Sequence, residues 1–198
     1  MINLGCGVKP AGIVGGSAVT PYSLPWQVAL VRRGSSRPFC GGTLISPRHV
    51  LTAAHCVNSQ NFGIIVGEHS YTNSSDGTRQ TVCRAINHPE YNLNDNDLSI
   101  VHLQNPVEIG TRVAVACLPS VNLGGDFLAG KNMTVSGWGA ASFKGDSRTE
   151  LFKADVPGIT NSECNAMYHN ITDSMLCAGD IANGGIDACQ GDSGGMYN

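Results

Sequence analysis

The pattern that decides the fold is clearest in residues 92–103, which read NLNDNDLSIVHL. The first half is a cluster of Asn and Asp, typical of a turn, and the second half is an apolar run of strand length. Short apolar runs recur along the chain, in residues 26–31, 63–67 and 132–139. Short strands separated by polar turns favour an all-β sandwich or barrel over alternating strands and helices.

Composition supports this interpretation and excludes several function classes. Of the 198 residues, 25 are glycine, only 14% are charged, and the net charge is −3. A chain without a basic run is not expected to bind nucleic acid, and no apolar stretch reaches the length of a membrane span. One short helix is predicted near Thr160, with Asn161 or Ser162 as its cap.

The cysteines indicate an oxidising compartment. None of the eight forms a CxxC pair, which argues against a structural zinc site, and an even number of scattered cysteines is typical of disulfides in a secreted protein. Three N-x-[ST] acceptors at Asn73, Asn132 and Asn170 predict a glycoprotein of the same compartment. The cysteines are Cys6, Cys40, Cys56, Cys83, Cys117, Cys164, Cys177 and Cys189.

Three separate stretches could supply the groups of a nucleophilic catalyst. Residues 191–195 read GDSGG, so Ser193 could lie exposed in a tight turn whose backbone N–H groups face a substrate carbonyl. A serine needs a base, and His55 follows small residues and precedes a cysteine that could lock its loop. The histidine needs a carboxylate to orient it. Asp97, at the start of an apolar run, is one candidate, and Asp95 is its rival.

These contexts, in the order His, Asp, Ser, resemble the chymotrypsin/trypsin family of serine proteases. Four further motifs carry the resemblance, which extends from about residue 13 to residue 195: IVGG at 13–16, CGGTLI at 40–45, GWG at 137–139 and ACQ at 188–190. Together these ordered motifs are far more specific than any one alone.

The resemblance implies two antiparallel β-barrels with a catalytic cleft between them. Residues 13–116 would form the first barrel and residues 117–198 the second, after a propeptide-like segment of residues 1–12. In the family, further strands and a terminal helix follow the serine motif. We therefore expect a second barrel that is incomplete, as in a truncated protease.

The resemblance also implies the catalytic roles. His55, Asp97 and Ser193 would form the catalytic triad, and the backbone N–H groups of Gly191 and Ser193 would form the oxyanion hole. Asp97 is preferred to Asp95 because the family's acid directly precedes the apolar strand. No cofactor is expected.

Specificity and activation follow from the same resemblance. Asp187 occupies the position of the floor of the primary specificity pocket, where a carboxylate favours Arg or Lys side chains. In a zymogen cut before Ile13, the new amine would pair with Asp192. Here Gly12 stands where an Arg or Lys is usual, so the route of activation is open.

The chain matches the disulfides and the calcium loop of the family only in part. The resemblance implies the bridges Cys40–Cys56, Cys164–Cys177 and Cys6–Cys117, while Cys83 has no family partner and that of Cys189 would lie beyond residue 198. Glu68 matches one ligand of the calcium loop, but the later acid is replaced in the region of residues 78–79. No metal is therefore expected.

The sequence thus predicts a secreted, monomeric serine endopeptidase that cleaves after Arg or Lys. Its partners would be protein or peptide substrates and protein protease inhibitors, with no nucleic acid and no membrane. Two alternatives stay open: a protease of the same family with another primary specificity, and an inactive, truncated, protease-like binding protein.

Overall fold

A computed structural model describes residues 16–58, 61–73, 76–93, 95–119, 125–139 and 148–179 of the chain. Strands dominate these ranges, as the alternation of apolar runs and turns predicts. The strands are β1 Ser17–Ala18, β2 Gln27–Arg32, β3 Pro38–Ser46, β4 His49–Thr52, β5 Phe62–Val66, β6 Thr78–Gln80, β7 Val82–Asn87, β8 Ser99–Leu103, β9 Asn132–Gly137, β10 Phe152–Ile159 and β11 Cys177–Ala178. The helices are two 3-10 turns, Ala54–Val57 and Gly125–Leu128, and α1, Asn161–Tyr168.

The first of the two sheets has seven strands and closes on itself. Its strand order is β6-β5-β2-β3-β4-β8-β7, and every pairing is antiparallel. The two outer strands of this order, β6 and β7, are consecutive in the chain with only Thr81 between them. The sheet therefore returns to its start as a barrel, which leaves few open edges.

Apolar side chains of several strands fill this barrel. The core cluster includes residues from β2, β3, β4, β5 and β8, among them Val28, Leu30, Leu44, Val50, Ile64 and Val101. Gly42 lets the strands approach closely, since a Cβ there would lie 2.9 Å from Val50 and 3.0 Å from Val28.

The second sheet is built around β10, which pairs antiparallel with β1, β9 and β11. The helix α1 follows β10 directly, and its cap is Thr160 rather than the predicted Asn161 or Ser162. The Thr160 hydroxyl accepts a hydrogen bond from the Glu163 N–H, and the Glu163 carboxylate accepts one from the Thr160 N–H. This capping box satisfies two backbone donors at the start of the helix.

A third apolar cluster joins the two sheets. Alternate residues of β2, Ala29 and Val31, leave the barrel core and pack with Trp138 and Leu151 of the second half. A buried hydrogen bond of 2.9 Å runs from the Ser136 hydroxyl to the Gln27 side-chain oxygen across the same contact. Within the described ranges, no helix is long and apolar enough to cross a membrane.

Candidate active site

The pairing of β4 with β8 brings two of the predicted site residues to one end of the first barrel. The strands are antiparallel, and Thr52 lies opposite Ser99. Residues that follow β4 and residues that precede β8 therefore leave the sheet at the same end. His55 comes three residues after Thr52, in the 3-10 turn Ala54–Val57, and Asp97 comes two residues before Ser99.

The Asp97 carboxylate bonds to His55 twice. One oxygen, Oδ2, lies 2.6 Å from the ring nitrogen Nδ1, and the other, Oδ1, accepts a 2.9 Å hydrogen bond from the His55 backbone N–H. The two side chains are 36% and 22% exposed for His55 and Asp97 respectively. The backbone bond fixes the carboxylate relative to the turn, so the ring and its acid are held as a unit.

This contact determines what His55 can do. An ionised carboxylate only accepts hydrogen bonds, so the proton of the neutral ring must be on Nδ1, and Nε2 keeps its lone pair. Burial alone would raise the pKa of the Asp97 carboxyl, but the hydrogen bonds from the His55 ring and backbone outweigh it and hold that pKa below its usual value. Asp97 therefore stays ionised, and His55 has the tautomer of a general base.

A disulfide holds the His55 turn against the barrel. Cys56 is bonded to Cys40 of β3, and its sulfur lies 3.5 Å from the Nε2 of His55. The ligand atoms of Cys40, His55 and Cys56 all lie within 4.8 Å of one another, a spacing that a metal ion could bridge. However, the two sulfurs are bonded to each other in the disulfide, so the group is a structural bridge beside the His55 ring.

Comparison with known proteins decides the family. A sequence model described as Trypsin matches residues 13–197. The chain belongs to the trypsin family.

Several relatives support this assignment. The chain is 36% identical to the clotting factor G beta subunit of Tachypleus tridentatus, over 97% of this chain and 68% of that protein. It is 37% identical to venom serine protease 34 of Apis mellifera, over 98% of the chain and 50% of that protein. It is 40% identical to trypsin-3 of Homo sapiens, over 92% of the chain and 59% of that protein. The chain thus spans half to about two thirds of the length of these relatives.

A solved structure shows the same architecture. The structure of neuropsin, described as a serine protease expressed in the limbic system of mouse brain, superposes with a TM-score of 0.80 at 34% identity. The match covers 92% of this chain and 80% of that one. The predicted all-β fold with two antiparallel barrels of the trypsin type is confirmed.

The other predicted site residues of this trypsin-family chain lie outside the described residues. They are the nucleophile Ser193 with Gly191, the pocket acid Asp187, and the activation pair Ile13 and Asp192. The structure thus brings His55 and Asp97 together, and the roles assigned to all seven residues stay predictions.

Two of the three predicted bridges are formed, Cys40–Cys56 and Cys164–Cys177. Cys117 has a free, exposed thiol in the structure, and Cys6 lies outside the described residues, as does Cys189. The Cys6–Cys117 bridge therefore stays a prediction. Cys83 is also free and exposed.

The loop that resembles a calcium site contains a buried acid. Glu68 is only 6% exposed, and its Oε1 atom has no hydrogen-bond partner. Burial, with a smaller contribution from the nearby Asp76 carboxylate, raises the pKa of Glu68 to about 7. Asp76 accepts hydrogen bonds from the Tyr22 hydroxyl at 2.6 Å and from the Ser70 N–H at 2.9 Å. The expectation that no metal binds here stays a prediction.

The structure separates the two acids that the residue pattern alone left as rivals. Asp95 does not contact His55; its carboxylate accepts hydrogen bonds from the hydroxyls of Thr172 and Ser174 in the second half of the chain. No local signal in the sequence indicated these partners, because they lie 77 and 79 residues further on.

The three predicted glycosylation acceptors are all exposed. Asn73 lies in a loop, Asn132 is the first residue of β9, and Asn170 follows α1. Their accessibility is compatible with modification, which stays a prediction.

Proposed function

We propose that this chain is the peptidase part of a secreted serine endopeptidase that hydrolyses peptide bonds after Arg or Lys. The observation that carries the proposal is the 2.6 Å contact between Nδ1 of His55 and the Asp97 carboxylate, in a chain of the trypsin family. A histidine held in this way is a general base that lacks only its nucleophile, and Ser193 matches the family's serine motif.

Acylation would proceed through His55. The Ser193 oxygen attacks the scissile carbonyl carbon while Nε2 of His55 takes the hydroxyl proton. Asp97 stabilises the imidazolium that forms, and the N–H groups of Gly191 and Ser193 stabilise the oxyanion. The C–N bond then breaks, the leaving amine takes the proton from Nε2, and an ester to Ser193 remains.

Deacylation repeats these steps with water. Nε2 takes a proton from the water as its oxygen attacks the ester carbon, and the bond to Ser193 breaks as the serine recovers a proton from Nε2. Since the same imidazole serves both half-reactions, weakening its contact with Asp97 should slow both.

Primary specificity is assigned to Asp187. A carboxylate at the floor of an otherwise uncharged pocket favours the cations of Arg and Lys, whereas a neutral floor favours aromatic or small side chains. Cleavage of the bond between Gly12 and Ile13 would activate the protein, because the new Ile13 amine would pair with Asp192. The same cut divides the chain into a segment of residues 1–12 and a peptidase unit, whose two barrels are residues 13–116 and 117–198. A buried pair of this kind stabilises only when complete, which suits a switch.

Secretion, glycosylation and monomeric behaviour belong to the same proposal. The disulfides Cys40–Cys56 and Cys164–Cys177 favour an oxidising compartment, and two relatives are a clotting factor subunit and a venom protease. Substrates are expected to be proteins or peptides, and protein protease inhibitors are expected partners.

The decisive experiment uses the protein that carries this chain in its activated form. A serine-directed phosphonate probe should label the wild type and should not label Ser193→Ala. The matched control is Ser162→Ala, an exposed serine of α1, which should label like the wild type. Wild-type protein that is folded but shows no Ser193-dependent labelling would favour a protease-like binding protein.

Peptide substrates with Arg, Phe or Ala before the scissile bond test specificity. Preference for Arg, lost in Asp187→Ser with labelling retained, supports the pocket assignment. A wild-type preference for Phe contradicts that assignment while leaving the protease proposal intact.

A further inference from the structure

The loop between β7 and β8 carries Asp97, but many of its contacts are local. The N–H of His88 donates to the carbonyl of Leu98 at 2.8 Å, and Asn92 and Asp95 exchange two backbone hydrogen bonds of 3.1 and 3.2 Å. Asn96 has a φ of 53°, in the left-handed region. A turn of this kind closes the loop on itself, yet it does not fix how the loop sits against the rest of the protein.

Asp95 supplies a contact that leaves this loop for the other half of the chain. Its Oδ1 atom accepts a hydrogen bond of 2.8 Å from the Thr172 hydroxyl and another from the Ser174 hydroxyl. The same oxygen accepts a 2.8 Å bond from the N–H of Asn96, the residue between Asp95 and Asp97. The carboxylate therefore ties the backbone beside Asp97 to the segment between α1 and β11.

The segment that receives Asp95 is itself firmly braced. The Asn161 side-chain amide donates to the carbonyls of Thr172 and Met175 at 3.0 and 3.2 Å. The Asn165 side chain exchanges two bonds with the Ile171 backbone, at 2.8 and 3.0 Å. The Cys164–Cys177 bridge joins α1 to β11 around the same segment. The Thr172 and Ser174 hydroxyls thus project from a well-supported surface.

We propose that Asp95 is a positioning residue, which holds the loop carrying Asp97 against the second half of the chain and so keeps the Asp97 carboxylate on the His55 ring. The proposal rests on the proposed function, since it concerns the geometry of the same base. A displacement of about 1 Å at a reacting group can cost about 100-fold in rate. A partial loosening of the loop should cost about tenfold.

The first measurement is steady-state kinetics on a short Arg substrate at a temperature well below unfolding. Asp95→Ala should lower kcat about tenfold with little change in KM, because the loop would hold the acid of the triad less well. Asp95→Asn keeps an acceptor oxygen for the two hydroxyls and should retain most of the wild-type kcat. The double variant Thr172→Val/Ser174→Ala should reproduce the loss, and adding Asp95→Ala to it should cause no further loss.

Three control variants separate this role from general effects. Asp155→Ala removes an exposed carboxylate that also has a threonine partner, Thr134 at 2.6 Å, and should leave kcat unchanged. Thr172→Val also removes the N-x-T acceptor at Asn170, so Asn170→Gln and Thr172→Ser should both behave like the wild type.

The second measurement does not depend on turnover. The proton on Nδ1 of His55, in a short bond to a carboxylate, should give a resolved downfield resonance in the proton NMR spectrum. That resonance should broaden through faster exchange with water in Asp95→Ala and in Thr172→Val/Ser174→Ala, and should stay sharp in Asp155→Ala.

Unchanged kcat and an unchanged resonance in Asp95→Ala would overturn the proposal, provided that Ser193→Ala is inactive. If Asp95→Ala fails to fold, the Thr172→Val/Ser174→Ala variant decides by the same two criteria. If the wild type shows no Ser193-dependent turnover, the proposed function fails, and the resonance alone still decides whether Asp95 positions Asp97.

Discussion

Asp97 and Asp95 are two residues apart on one loop, yet they face opposite halves of the molecule. Asp97 is 22% exposed and uses both carboxylate oxygens on His55 of the first barrel. Asp95 lies nearer the surface and uses one oxygen on two hydroxyls of the second half. The first contact sets the tautomer of the His55 ring, and the second sets where the loop sits.

The difference shows that partners, more than burial, set the charge of these acids. Hydrogen bonds from Ser174 and Thr172 lower the pKa of Asp95, and hydrogen bonds from His55 lower that of Asp97 in spite of burial. Glu68 is buried without a partner for one oxygen, and its pKa is raised.

The largest effect is expected from breaking the contact between Asp97 and His55. Asp97→Asn would put an amide where the ring needs an acceptor on Nδ1, and could reverse the His55 tautomer. We expect kcat to fall about 10⁴-fold, the loss known for this substitution in trypsin, or about 5 kcal/mol of transition-state stabilisation. Single-turnover kinetics of the purified variant measures it. A loss below tenfold would mean that Asp97 is not the acid of the triad.

Next comes the bridge that holds the His55 side of this contact. Replacing Cys40 and Cys56 with Ala opens a loop whose ends are 16 residues apart, and should lower the free energy of unfolding by about 3 kcal/mol. The control pair Cys164→Ala/Cys177→Ala opens a separation of 13 residues and should cost a similar amount. Denaturant titration compares the two. The first pair lies beside His55, so its loss should lower kcat more than tenfold. The second pair braces the segment that holds Asp95, so its loss should lower kcat by at most about tenfold.

Glu68 extends the comparison to an acid whose pKa is shifted in the opposite direction, upward. Its folded pKa of about 7 exceeds the ordinary value of 4.5, so its contribution to stability is full below 4.5 and is lost as the pH rises through 7. Glu68→Gln cannot ionise and should be more stable than the wild type at pH 8, by up to about 3 kcal/mol. The difference should vanish at pH 4. Urea titrations at both values test this, and a gap that persists at pH 4 would indicate a packing effect.

The smallest effect is expected at low pH, where protonation weakens the contact of Asp95 with the Thr172 and Ser174 hydroxyls. The pKa of Asp95 lies below its ordinary value of 3.8, so its stabilisation is present above 3.8 and is lost as the pH falls below it. Asp95→Asn should therefore be slightly less stable than the wild type at pH 7 and equally stable near pH 2. Thermal unfolding across this range measures the gap. A gap that does not narrow in acid would show that the charge of Asp95 does not contribute.

Much of the fold could be predicted because its signals are local. The apolar runs at residues 26–31, 63–67, 98–103 and 132–139 became β2, β5, β8 and β9 within a residue or two at each end. The helix near Thr160 was also predicted, although its cap was misplaced by one or two residues, since Thr160, Asn161 and Ser162 are all good caps.

The site was harder to predict from the residues alone. Asp95 and Asp97 have the same side chain in the same Asn/Asp-rich stretch, and only the family resemblance favoured Asp97. The reason becomes visible in the pairing of β4 with β8, which brings position 97 to the His55 turn. Nothing in the sequence indicated that the Thr172 and Ser174 hydroxyls bind Asp95, because these residues are distant along the chain and only folding brings them close.

By itself, the sequence determined the all-β class, the family motifs, and the residue types needed for a nucleophile, a base and an acid. Tertiary structure alone decided which aspartate bonds to His55, where the other one attaches, and which acid is buried with one oxygen unpartnered. The physical reason is that composition and periodicity report on neighbours along the chain, whereas the charge and position of a side chain depend on groups that only folding brings near.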